Sequence, residues 1–173
     1  MKILVPILLT LLSFAGFTQE KVKWYTLEEA EELNKKKPRI FLIDVYTDWC
    51  GWCKEMDRVS FSHPVIAEYL NTHFYPVKLN AETRDTIRFG GHIFINKGTG
   101  QRPSHDLAIS LLKGKMSYPS IVYLNSKYQL LTAVPGFVNP KQLEPILVYF
   151  ATESYKTNPD FQSFSNSFKG KIE

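Results

Sequence analysis

The stretch Ile40–Tyr46 is apolar and β-branched, with a single charge, Asp44, inside it. A run of that length without polar alternation predicts a central strand buried on both faces. Upstream, Thr26-Leu27-Glu28-Glu29 forms a capping box, in which the Thr26 hydroxyl and the Glu29 carboxylate serve each other's free amides. It opens a helix that reaches about Lys36 and that Pro38 ends. Helical patterning resumes at Cys50, and Ser62 is expected to cap a further helical stretch through Leu70. Residues 74–79 read as a second strand.

Residues 86–96 alternate around Gly90-Gly91, a two-residue hairpin signal. A loop with Gly98, Gly100 and Pro103 follows, and Ser104 is expected to cap a helix carrying Leu107, Ile109, Leu111 and Leu112. Residues 121–124 and 129–134 predict an antiparallel hairpin around Asn125-Ser126. Asn139-Pro140 combines a cap with a first-turn proline, and Pro145 removes a hydrogen bond and predicts a distorted start to that helix. Beyond Thr157 the tail is polar, with Phe161, Phe164 and Phe168 at near-helical spacing; such an end is more often loosely ordered than docked. The order helix, strand, helix, strand, insertion, helix, strand, strand, helix predicts a three-layer α/β domain with a mixed central sheet.

The first residues follow a different logic. Met1-Lys2 is basic, residues 3–17 are almost wholly apolar, and Ala15, Gly16 and Thr18 are small. That succession is a secretory signal, and the apolar run falls short of the ~20 residues that span a bilayer. The expected organisation is therefore a signal peptide over 1–18, one domain over 19–155 with an insertion at 84–101, and a C-terminal tail over 156–173. The product is expected in the periplasm or otherwise exported, without stable membrane insertion after cleavage; an uncleaved anchor is the alternative.

Net charge is only +4 and the lysines lie among acids. No basic stripe alternates with aromatics, so nucleic-acid binding has no electrostatic footprint.

The chain has two cysteines, both within Trp49-Cys50-Gly51-Trp52-Cys53. A bridge over two intervening residues constrains little unfolded-chain entropy, so this spacing points to chemistry rather than support. At a helix start Cys50 gains from the macrodipole and free amides, which stabilise a thiolate, and Lys54 adds a positive charge nearby. Cys53, one turn inward, is placed to resolve a mixed disulfide by attacking the Cys50 sulfur. Haem attachment needs His where Lys54 stands, and a zinc site needs two more ligands at spacings that His63 and His73 do not offer, so no metal is expected. His92 and His105 likewise show no partner pattern and read as surface or cap residues. Trp49 and Trp52 belong either to the core or to an apolar rim facing substrate, the rim reading being stronger for Trp49.

The segment Ile43-Asp44-Val45-Tyr46-Thr47-Asp48-Trp49-Cys50-Gly51-Trp52-Cys53-Lys54 resembles the active-site segment of the thioredoxin superfamily. Met56 and the Phe61-Ser62-His63-Pro64-Val65 stretch are similar to the exported members, which include soluble domains of periplasmic disulfide reductases. The resemblance implies a thioredoxin-like sandwich with a hairpin insertion, and a catalytic set of Cys50, Cys53 and Asp44. Asp44 would take the place of the buried acid that moves the proton of the resolving thiol, with Lys78 facing it from the neighbouring strand. Tyr118-Pro119 resembles the cis-proline loop that pairs with a bound peptide beside Trp49 and Trp52, and Gly136 matches a glycine near the same surface. Trp52 departs from the proline of ordinary thioredoxin, so redox poise does not transfer. No organic cofactor is implied; the partners are protein thiols and disulfides and a redox partner protein without an identity. The resemblance favours a reductase or isomerase. A dithiol oxidant and a non-catalytic peptide-binding module are the other readings.

Overall fold

A computed structural model describes residues 20–173; the expected signal peptide lies outside them. Helix α1 (Leu27–Lys36) carries the capping box, with Thr26 and Glu29 each accepting the other's amide. Strand β1 (Ile40–Tyr46) follows, then α2 (Gly51–Met56), which runs into one π-helical turn, Asp57–Phe61. Helix α3 (Pro64–His73), β2 (Phe74–Asn80), the short strands β3 (Ile87–Phe89) and β4 (His92–Phe94), and α4 (Asp106–Leu111) come next. Strands β5 (Ser120–Leu124) and β6 (Leu130–Pro135), α5 (Pro140–Ala151) and α6 (Phe161–Ser167) complete the order.

Four strands form one mixed sheet in the order β2-β1-β5-β6, parallel between β1 and β2 and antiparallel elsewhere. Because successive residues of β1 point to opposite faces, Phe41, Ile43 and Val45 pack against α1, α4 and the β3–β4 hairpin, while Ile40 and Leu42 pack against α2, α3 and α5. This is the three-layer arrangement the sequence predicts. The β3–β4 hairpin turns at Gly90-Gly91 and forms its own small sheet. Among the described residues no helix is long and apolar enough to cross a membrane.

Three local expectations are corrected. Ser62 has helical dihedrals, so its hydroxyl donates back to the Arg58 carbonyl; His63 is the N-cap of α3 and Pro64 its first residue. The fixed φ of proline decides that start. Helix α4 is capped by His105, whose buried Nδ1 accepts the Leu107 amide at 3.2 Å, rather than by Ser104, and Ile109 faces solvent. The tail is docked. Phe161 and Phe164 lie against Tyr149, and the buried carboxylate of Glu144 accepts the amides of Lys171 and Ile172 at 2.7 and 3.1 Å. Helix α5 continues through Pro145 to Ala151, since the missing amide removes one bond from a helix otherwise held by its apolar face.

Candidate functional site

Cys50 leaves the end of β1 through a turn in which its amide donates to the Thr47 carbonyl at 3.1 Å. It is the N-cap of α2, and its Sγ accepts the Cys53 amide at 3.1 Å. The pair is closed as a disulfide with the Cα atoms 5.3 Å apart, and both residues are buried. The backbone that starts α2 thus aims an N–H at the sulfur of Cys50, which favours a negative charge there once the bridge opens.

Two tryptophans flank the bridge at the surface. Trp49 is 51% exposed and Trp52 64%, so both belong to the rim rather than the core. Trp49 is held on edge: its indole N–H donates to both carboxylate oxygens of Glu82 at 2.9 and 3.1 Å, and the Tyr118 ring meets it at 6.1 Å. Trp52 lies against Phe137, with ring centroids 5.6 Å apart.

Ser120 pairs with Val45 in the sheet, which brings the loop before β5 to the end of β1 from which Cys50 emerges. The peptide bond between Tyr118 and Pro119 in that loop is cis. The Pro119 carbonyl accepts the Gly136 amide at 2.7 Å, and Gly136 has φ of 89°, a backbone conformation that a side chain would strain. Lys54 is exposed and makes no ion pair among the described residues.

Asp44 is fully buried, on the sheet face that α2 and the π turn cover. Its register partner on β2 is Lys78, whose Nζ donates to Oδ2 at 2.5 Å; the Asp44 Oδ1 has no hydrogen-bond partner among the described residues. Burial pushes the Asp44 carboxyl up to about 6, against the downward pull of Lys78. Lys78 also donates to Asp57 and lies 4.7 Å from the Trp24 ring centroid, with Tyr46 and Phe61 at 5.3 Å. Burial pulls the ammonium down, but the two carboxylates outweigh it and hold Lys78 above its ordinary value.

Sequence reasoning missed Asp57, Trp24, Glu82, Phe137 and Arg102, whose guanidinium lies over the Trp49 ring. Asp57 had a signal: four residues beyond Cys53, it falls on the same side of a continuing helix. The other four are joined to the site only by tertiary contacts.

The family model Thioredox_DsbH, described as a protein of unknown function, DUF255, matches residues 14–142. The thiol:disulfide interchange protein DsbD of Pectobacterium atrosepticum is 24% identical over 118 residues, which is 67% of this chain and 17% of that protein. The chain therefore spans about a sixth of the length of this curated relative. Among solved structures, one described as DsbH oxidoreductase superposes with a TM-score of 0.57 at 14% identity, covering 83% of this chain and 93% of its own. A putative disulphide-isomerase from Bacteroides thetaiotaomicron gives 0.53 at 22% identity, covering 78% and 96%. These likenesses show a thioredoxin-type fold.

Proposed function

The chain belongs to the Thioredox_DsbH family, and from that premise we propose that it is an extracytoplasmic thiol–disulfide oxidoreductase acting on protein disulfides in the reducing or isomerising direction. The observation that carries this reading is the Cys50–Cys53 bridge at the start of α2, with the Cys53 amide on the Cys50 sulfur and Asp44 buried on the sheet face behind it. The basic-then-apolar pattern of residues 1–17 supports export.

In the dithiol form the Cys50 thiolate attacks one sulfur of a substrate disulfide. That S–S bond breaks, a mixed disulfide with Cys50 forms, and the second substrate sulfur leaves as a thiolate and takes a proton. Cys53 then gives its proton to the unoccupied Oδ1 of Asp44 and attacks the Cys50 sulfur. The substrate leaves as a dithiol and the Cys50–Cys53 bridge closes, two electrons having passed from protein to substrate. A dithiol partner protein restores the reduced pair. In the isomerising direction a second substrate thiol attacks the mixed disulfide before Cys53 does. The carboxyl near 6 suits the relay, because it accepts a proton at neutral pH and returns it readily.

The roles of the remaining residues follow from position. Trp49 and Trp52 form the apolar rim that receives substrate, and Tyr118-Pro119 offers backbone to an extended peptide. Gly136 holds that loop, while Lys78 and Lys54 supply positive charge inside and outside the site.

Equilibrating the purified chain with graded thiol buffers tests the reading. A potential near −270 mV, as in thioredoxin, is the expected result, and one near −120 mV would make the chain an oxidant. Inability to cycle between bridge and dithiol would replace the redox reading with that of a peptide-binding module.

A further inference from the structure

On the reading that Cys50 exchanges with protein disulfides, we propose that Arg102, in the loop between β4 and α4, is a specificity-determining residue that selects substrates carrying an acidic side chain close to the attacked cysteine. Its guanidinium stacks over the Trp49 ring at 5.3 Å from the centroid, and Trp49 immediately precedes Cys50. A cation on that face is attracted to the ring and keeps its edge free to donate outward.

Arg102 is exposed and makes no ion pair among the described residues. Glu82 and Asp48 are held by neutral donors of the chain and make no ion pair with Arg102. Glu82 holds the Trp49 indole, and Asp48 accepts the Asn80 side-chain amide at 3.1 Å.

The loop that presents Arg102 is built to hold it there. The Asn96 amide donates to the carbonyls of Thr83 and Pro103 at 3.0 and 2.7 Å, and Arg84 donates to Gly98 O at 2.6 Å. The buried His105 anchors the far end, its amide on Ala81 O at 2.7 Å and its Nε2 at 3.0 Å from Asp85 O. Gly98 packs so closely on Pro103 that a Cβ would come within 2.1 Å of it. A preorganised cation loses little freedom when a partner arrives.

The complementary group is an aspartate or glutamate within a few residues of the substrate cysteine, on the side that passes Trp49. Charge at the rim of an interface acts chiefly on association and on the choice of partner.

The test is stopped-flow tryptophan fluorescence of the reduced chain mixed with two disulfide-linked peptides that differ only in Glu or Lys three residues from the cysteine. Each protein's rates are normalised to its own rate with the neutral hydroxyethyl disulfide. The wild type is expected to react about threefold to fivefold faster with the Glu peptide at low salt, the range of an exposed ion pair. Arg102→Glu should invert that preference, Arg102→Lys should keep its sign, and 0.5 M salt should erase it, a concentration at which the Debye length is about 4 Å. Equal rates for the two peptides with wild type, or an unchanged ratio in Arg102→Glu of wild-type melting temperature, overturns the assignment and leaves the oxidoreductase reading standing. If the wild type does not react even with hydroxyethyl disulfide, both fall together.

Discussion

Asp44 and Lys78 stand opposite one another on the parallel strands β1 and β2, and their side chains meet at 2.5 Å on the sheet face behind the Cys50–Cys53 bridge. The ammonium is shared with Asp57 and lies among the rings of Trp24, Tyr46 and Phe61. One cation therefore links a buried acid to an acid at the surface. Burial of the first would be far more costly without it.

Replacing Lys78 with Met should leave Asp44 without its cation. At pH 8 the loss is expected to reach about 3–5 kcal/mol, the usual cost of breaking a buried pair from one side. At pH 5 it should be smaller, because protonation of Asp44 removes the stranded charge. Urea midpoints at the two pH values measure this, and an equal loss at both would contradict it.

The raised carboxyl also predicts how stability depends on pH. Asp44 titrates near 6 in the fold against 3.8 ordinarily, so between those values the folded chain binds more protons than the unfolded one. Its contribution is fully present below about pH 4 and is lost as pH rises through 6, by about 2–4 kcal/mol in all. Asp44→Asn should remove this dependence and stabilise the protein at pH 7.5. Denaturation midpoints from pH 4 to pH 8 for both proteins give the comparison; parallel curves would assign the effect elsewhere.

That same substitution should slow resolution of the mixed disulfide at neutral pH while sparing its formation, because Cys53 loses its proton acceptor. Cys53→Ser carries the effect to its limit. Incubated with a peptide disulfide, the reduced variant should accumulate a covalent adduct on Cys50, read as a mass increase that dithiothreitol reverses. Cys50→Ser should form none. An adduct on Cys53 would reverse the roles given to the two thiols.

Glu144→Ala removes the acceptor of the Lys171 and Ile172 amides. A cost of about 1–3 kcal/mol is expected, with hydrogen exchange accelerated at those two amides before the rest of the chain. Exchange that rises uniformly would mean that the tail and the domain unfold as one unit.

Much of the fold was legible in the linear pattern, because it rests on local rules. The apolar run of β1, the capping box at Thr26, the Asn139 cap with its first-turn proline and the Gly90-Gly91 turn each depend on residues a few positions apart. The cysteine pair was legible for the same reason. The caps at Ser62 and Ser104 misled, since in each case the adjoining histidine occupies the capping position. In the second case the buried ring accepts the Leu107 amide through Nδ1.

The sequence by itself determined the elements, the position of Cys50 and Cys53 at a helix start and the presence of one acid inside a buried strand. Only the tertiary structure decided what those groups face. Strand register puts Lys78 against Asp44, a pairing that only the family resemblance suggests, and the path of the loop between β4 and α4 carries Arg102 over Trp49. Packing onto α5 decides for the docked reading of a tail that the sequence leaves more often loose than docked. Local structure follows from short-range sterics and hydrogen bonding, which neighbouring residues specify. Contacts between distant segments follow from which apolar faces can be buried together, and that depends on the whole chain at once.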